Sequence, residues 1–218
     1  MSTKPVLHWY FDVISPYAYF QAERLAEVER VAEVRRVPVL FAGLLEHWGQ
    51  LGPAEIVPKR RFTFRYAVWY AQRQGLPLRM PPGHPFNPLR LLRLAAAFDG
   101  RADVVREVFR FVWAEGRSSD DPGAWRDLCA RVGVPDGDAL VSTPEVKARL
   151  ADNGRDALAR QVFGVPSFVT PDGELFWGVD ATDMLMDFLA GAPVMTSPEM
   201  LKADTLPVIK ARDRGGRG

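Results

Sequence analysis

The segment PVLHWYFDVI, residues 5–14, is rich in β-branched and aromatic side chains with no polar alternation, and it runs into a Ser-Pro step. A strand of that composition needs cover on both faces, which places it centrally in a sheet. Ser15 is a favoured N-cap and Pro16 suits the first position of a helix, so the strand hands over to a helix there. The stretch PYAYFQAERLAEVERVAEV then carries Ala18, Ala22, Leu25, Ala26, Val28 and Val31 at helical spacing, with Glu and Arg between them. A second strand is expected at 34–42, VRRVPVLFA. Strand, helix and strand in that order make one crossover unit with a parallel pair, and the rest of the fold is built onto it.

From Gly43 to about Gln161 the pattern is helical with breaks at Pro and Gly. Helices are expected within 54–75, which Gly75 stops, and within 87–100, 103–116, 121–133 and 142–161, the last opening on a Ser-Thr-Pro-Glu cap signal. Residues 165–178, VPSFVTPDGELFWG, read as a hairpin with Pro-Asp-Gly at its turn, and a terminal helix is expected from about Asp180 to Leu189. Residues 191–218 are rich in Pro, Gly and charge, end in RDRGGRG, and are expected to lie over the surface or fray.

A chain of 218 residues buries a core without metal or disulfide support. Its 28 Lys and Arg against 27 Asp and Glu leave a net charge of +1, so no bulk field favours nucleic acid or an anionic membrane. Cys129 is the single cysteine, which excludes an internal disulfide and a CxxC redox pair and suits a reducing compartment. No stretch approaches the roughly 20 apolar residues of a spanning helix. Asp12 inside the first apolar run does not fit a signal peptide. A cytoplasmic protein acting on small molecules is expected, with its oligomeric state open, a homodimer included.

The order of elements is the thioredoxin arrangement, an α/β fold here carrying a large helical insertion. Residues 1–42 and 162–190 are assigned to the thioredoxin-like domain, 43–161 to the insertion and 191–218 to a C-terminal extension. In that fold reactivity sits where the first strand feeds the first helix, the place of Ser15. Unpaired N–H groups and the helix dipole favour an anion there by about 0.3–1 kcal/mol at a surface and up to about 2 kcal/mol when partly buried. No Ser/His/acid set surrounds Ser15, so it is too weak to attack alone, but its hydroxyl can donate to a thiolate brought by a ligand. The plainer reading makes Ser15 an N-cap only. Val165 and Pro166, between a helix and a strand, stand where a cis-proline belongs in this fold. In that geometry the Val165 N–H and C=O face a ligand and pair with it like an added strand; an ordinary trans proline is the alternative.

FDVISPYAYF, PAEIVPKRRF, VFGVPSFV and FWGVD together resemble the 2-hydroxychromene-2-carboxylate isomerase family, relatives of the kappa-class glutathione transferases within the DsbA branch. The likeness runs from about residue 6 to 190. It implies glutathione as cofactor, an electrophilic or aromatic small-molecule substrate, and a serine in place of the redox cysteine. By position, Ser15 would contact the glutathione sulfur, Val165 before Pro166 would pair with its backbone, and Trp177, Gly178, Val179 and Asp180 would surround its γ-glutamyl end. Gln50 stands where the family often has Asn in a ligand-facing loop, Val179 where Asn often follows Trp-Gly, and AGLLEHWGQLG lacks the basic residues common near that loop. An isomerase and a kappa-like transferase would share the same glutathione residues. A catalytically silent module that captures extended peptides at Val165 is the alternative from another class.

Asp180, at the expected start of the last helix, can cap it and can bind an ammonium group. Trp177 is either a ligand wall or core. His8, His47 and His84 share no metal-ligand spacing, so no metal is expected. KRR at 59–61 reads as a solvated helix face from which Lys59 or Arg60 can meet an anion. Of Tyr17 and Tyr19, one is expected to line the cleft and the other to pack inward, and Cys129 is expected to be buried and inert.

Overall fold

The computed structural model describes residues 4–207. Four strands form one mixed sheet in the order β2-β1-β3-β4. The strands are β1 (Val6–Phe11), β2 (Glu33–Pro38), β3 (Ser167–Val169) and β4 (Leu175–Trp177). β1 runs parallel to β2 and antiparallel to β3, which pairs antiparallel with β4. The expected crossover helix is α1 (Pro16–Glu29).

Because successive side chains of a strand face opposite ways, β1 supplies two cores. Tyr10 joins Val37, Val39, Leu44, Ala157, Val162, Val165 and Val169 in one. On the other side Trp9 stacks on Phe11 at 4.7 Å, and both rings lie against Phe109. Leu7, Trp9, Tyr10 and Phe11 have no exposed surface, as a strand without polar alternation requires.

The helical block comprises α2 (Phe41–Trp48), α3 (Val57–Gln74), α4 (Leu89–Ala97), α5 (Ala102–Phe109), α6 (Pro122–Arg131), α7 (Gly137–Ser142) and α8 (Pro144–Ala159). A π turn at Arg110–Ala114 prolongs α5. Among the described residues no helix is long and apolar enough to cross a membrane. Contacts divide the chain into a unit ending at Thr182 and a second beginning at Asp183. The boundary falls at the start of α9 (Thr182–Leu189), and the second unit also holds α10 (Pro198–Asp204).

Several boundaries differ from the sequence expectation for identifiable reasons. β2 stops at Pro38 instead of running to Ala42, because the Phe41 N–H is taken by the Asp12 carboxylate at 2.8 Å and α2 starts there. That amide is one of the unpaired donors every helix start leaves. Ser142 ends the short α7, and the cap of α8 is Thr143, whose hydroxyl accepts from Val146 N–H at 3.4 Å. Residues 198–204 of the tail form α10, started by Ser197, whose hydroxyl accepts from Met200 N–H at 3.3 Å. The RDRGGRG end lies outside the described residues. α1 buries Pro16, Ala18, Tyr19, Phe20, Gln21, Leu25 and Val28, while Ala26 is exposed and Val31, also exposed, falls beyond the end of the helix.

Candidate functional site

The loop at 12–15, between β1 and α1, is held from three directions. Asp12 is fully buried and its carboxylate accepts from Ile14 N–H at 3.0 Å and Phe41 N–H at 2.8 Å. Burial pushes this acid up to about 7, against the pull of those two amides. The Trp113 indole N–H donates to the Val13 carbonyl at 2.8 Å. His84 Nε2 lies 2.8 Å from the Ile14 carbonyl, an acceptor only, so Nε2 carries the proton. Burial lowers the pKa of His84, which fits a neutral ring in this wall.

The loop so fixed presents Ser15, 8% exposed, at the start of α1. Its hydroxyl oxygen accepts from Ala18 N–H at 3.3 Å, the N-cap bond of the plainer reading. The hydroxyl proton has no acceptor among the described residues, and neither has the Tyr17 N–H a partner there. Capping consumes a lone pair of Ser15 and leaves its proton to give, so the two readings of this residue are compatible.

Next to this loop, the ladder between β1 and β3 ends by pairing Tyr10 with Ser167, two residues after Val165. The Val165–Pro166 bond is cis, as expected from its position. Val165 is buried, yet its N–H and C=O have no hydrogen-bond partner among the described residues. Two unpaired backbone groups on a residue so little exposed suit a ligand that completes a strand. Pro166 continues the contact by accepting from Gly178 N–H at 2.8 Å.

Gly178 has φ of 95°, a conformation glycine tolerates, and a Cβ built there would lie 2.5 Å from Asp180 Oδ1. The Asp180 carboxylate therefore folds back over Gly178. It is exposed and makes no hydrogen bond or ion pair among the described residues. Its charge reaches Tyr17, whose pKa is raised by burial first, then by Tyr66 and Asp180. Asp180 is not the cap of the last helix, which starts two residues later at Thr182. Trp177 is 55% exposed, so it is no core residue; it meets Phe163 edge-on at 5.2 Å and crowds Gly164. Val179 is buried.

The family model for the DSBA-like thioredoxin domain matches residues 6–190. The chain belongs to that family. Among curated proteins this DSBA-like chain is 28% identical over 211 residues to "Glutathione s-transferase kappa 2" of Caenorhabditis elegans, an alignment covering 87% of this chain and 94% of the relative. It is 28% identical over 193 residues to the 2-hydroxychromene-2-carboxylate isomerase of Sphingobium xenophagum, covering 84% and 97%. Among solved structures, a 2-hydroxychromene-2-carboxylate isomerase superposes with a TM-score of 0.74 at 24% identity over 93% of this chain and 100% of that one, which shows a shared fold. The resemblance read from the four motifs is thus borne out.

Of the residues expected to bind a ligand in this DSBA-like chain, the fold gathers Ser15, Val165, Pro166, Gly178 and Asp180 at one end of β1 and β3. Gln50 comes from a different segment, the one after α2. It follows Gly49 at the end of α2 and lines a cavity of about 700 Å³ with Trp48, Gln161 and Phe163. Tyr19 packs inward, donating to Pro77 C=O at 2.7 Å with its pKa raised to about 12 by burial, and half-buried Tyr17 faces Tyr66 at 6.2 Å between ring centres. Arg60 is half-buried between exposed Lys59 and Arg61. Cys129 is buried with its thiol raised to about 11, so it carries no thiolate at neutral pH.

Sequence reasoning missed Asp12, His84 and Trp113 as supports of the Ser15 loop. Asp12 alone had a signal, a carboxylate inside an apolar run that needs N–H partners if buried. Nothing local in the sequence tells that His84 and Trp113 arrive from 70 and 100 residues away.

Proposed function

We propose that the chain is a glutathione-dependent enzyme, an isomerase of the 2-hydroxychromene-2-carboxylate isomerase type. Ser15 donates its free proton to the glutathione sulfur, the Tyr17 N–H and the positive end of α1 add to the field there, and the sulfur is held as thiolate. Val165 pairs with the backbone of the tripeptide and Asp180 receives the γ-glutamyl ammonium. Trp177, Gly178 and Val179 shape that end.

The thiolate adds to an electrophilic carbon of a conjugated, aromatic substrate, converting a double bond to a single one. Rotation about that bond and expulsion of the thiolate return glutathione unchanged and give the isomer. The nematode relative supports a second reading, a kappa-like transferase, in which the adduct takes up a proton or loses a leaving group and departs as product. A lone cysteine and a glutathione cofactor both suit the cytoplasm.

What supports this reading most directly is the pair of free backbone groups on buried Val165 beside a serine with a proton to give. Calorimetry with reduced glutathione tests it: saturable binding is expected, weakened about tenfold in Asp180→Ala, the loss of a charge-assisted hydrogen bond at an exposed site. A chain that passes through immobilised glutathione unretained is the silent peptide-binding module instead.

A further inference from the structure

Gln21 is 1% exposed in the second turn of α1, where a helix of this pattern has no need of an amide. Its Oε1 accepts from the Trp9 indole N–H at 2.7 Å. Its Nε2 donates to the Gly178 carbonyl at 2.9 Å and to the Thr182 hydroxyl oxygen at 3.0 Å. Thr182 spends its own proton on the Val179 carbonyl at 2.7 Å, so it can only accept from Gln21. Trp9 can only donate. These two partners together fix which way the amide faces, and both of its N–H bonds are used.

The consequence is geometric. Gly178 has its N–H tied to Pro166 and its C=O tied to α1, so the turn at 178–182 is fastened both to the segment carrying Val165 and to the helix that starts at Ser15. We propose that Gln21 is a positioning residue that sets the span between the sulfur end of the site at Ser15 and the ammonium end at Asp180, and thereby selects thiols bearing a γ-glutamyl group over shorter ones. The proposal rests on the glutathione reading above. Gln21 touches no ligand in this scheme and acts through Gly178 and Thr182.

Two variants separate this role from a structural one. Gln21→Met keeps the volume and removes both donations to the turn. Thr182→Val keeps the bond to Trp9 and the bond to Gly178, so it serves if the first variant fails to fold. Gln21→Met is expected to weaken glutathione about tenfold, the scale of one or two lost hydrogen bonds, and Thr182→Val by less. Cysteinylglycine, which lacks the γ-glutamyl group, is expected to bind each variant as it binds wild type, and the pKa of the bound thiol is expected to stay put. Faster amide exchange at 178–182 in the unliganded variants is the companion readout. Equal weakening of both thiols, unchanged glutathione affinity, or unchanged exchange overturns the proposal. Wild type that binds no glutathione overturns the glutathione reading and the selectivity with it, while the exchange arm still decides whether Gln21 holds the turn.

Discussion

Ser15→Ala is expected to cut turnover about ten- to a hundredfold near neutral pH while lowering stability by only about 1 kcal/mol. The second figure is the cost of a lost N-cap, here the bond to Ala18 N–H. A domain with a total of roughly 5–15 kcal/mol survives it. The first figure comes from the proton that capping leaves unused. A hydrogen bond to a charged group contributes about 1.5–3 kcal/mol, and about 1.4 kcal/mol is one pH unit in a pKa. The bound thiol is then expected to ionise roughly one to two pH units higher, with the activity profile moving to alkaline pH by the same amount. Ultraviolet titration of the bound thiolate in both proteins reads this directly. A lower melting temperature with unchanged thiol pKa and turnover would make Ser15 a cap and nothing else.

The same residue shows how far the sequence reaches. Ser15 and Pro16 announce a helix start because the rule is local: a side-chain acceptor and a missing N–H at successive positions. β1 is legible because burial on both faces leaves no room for polar alternation. Gln21 is opaque for the opposite reason. In PYAYFQAERLAEV it occupies a position that a helical wheel gives to either face, and only Trp9, Gly178 and Thr182, distant in sequence, make it a buried hub. The start of α2 is opaque too, since LFA continues an apolar strand until one learns that Asp12 waits for the Phe41 N–H. Of the two roles the sequence offers Asp180, cap and ammonium ligand, the first fits its position locally, but the turn through Gly178 starts the helix two residues later.

Asp12 gives the prediction with the clearest sign. Its ordinary value is 3.8 and its folded value is about 7, raised by complete burial that the Ile14 and Phe41 amides only partly offset. Between those two values the folded chain keeps a proton that the unfolded chain has released, so stability falls as pH rises across that window. The benefit of a neutral Asp12 is whole below about pH 4 and gone above about pH 7. At about 1.4 kcal/mol per pH unit the swing is on the order of 4 kcal/mol. Asp12→Asn removes the titration and leaves one of the two amides facing an NH2 group, a cost of about 1–3 kcal/mol that does not vary with pH. Carboxylates such as Glu115, held low by Arg131, titrate alike in both proteins and cancel in the difference. Urea denaturation at pH 5, 6, 7 and 8 is therefore expected to show wild type ahead of Asp12→Asn by most at pH 5, the gap closing steadily and levelling or reversing above pH 7. Parallel stability profiles would mean that Asp12 is ionised throughout, and the two amides would then have to hold a bare buried charge at the base of the Ser15 loop.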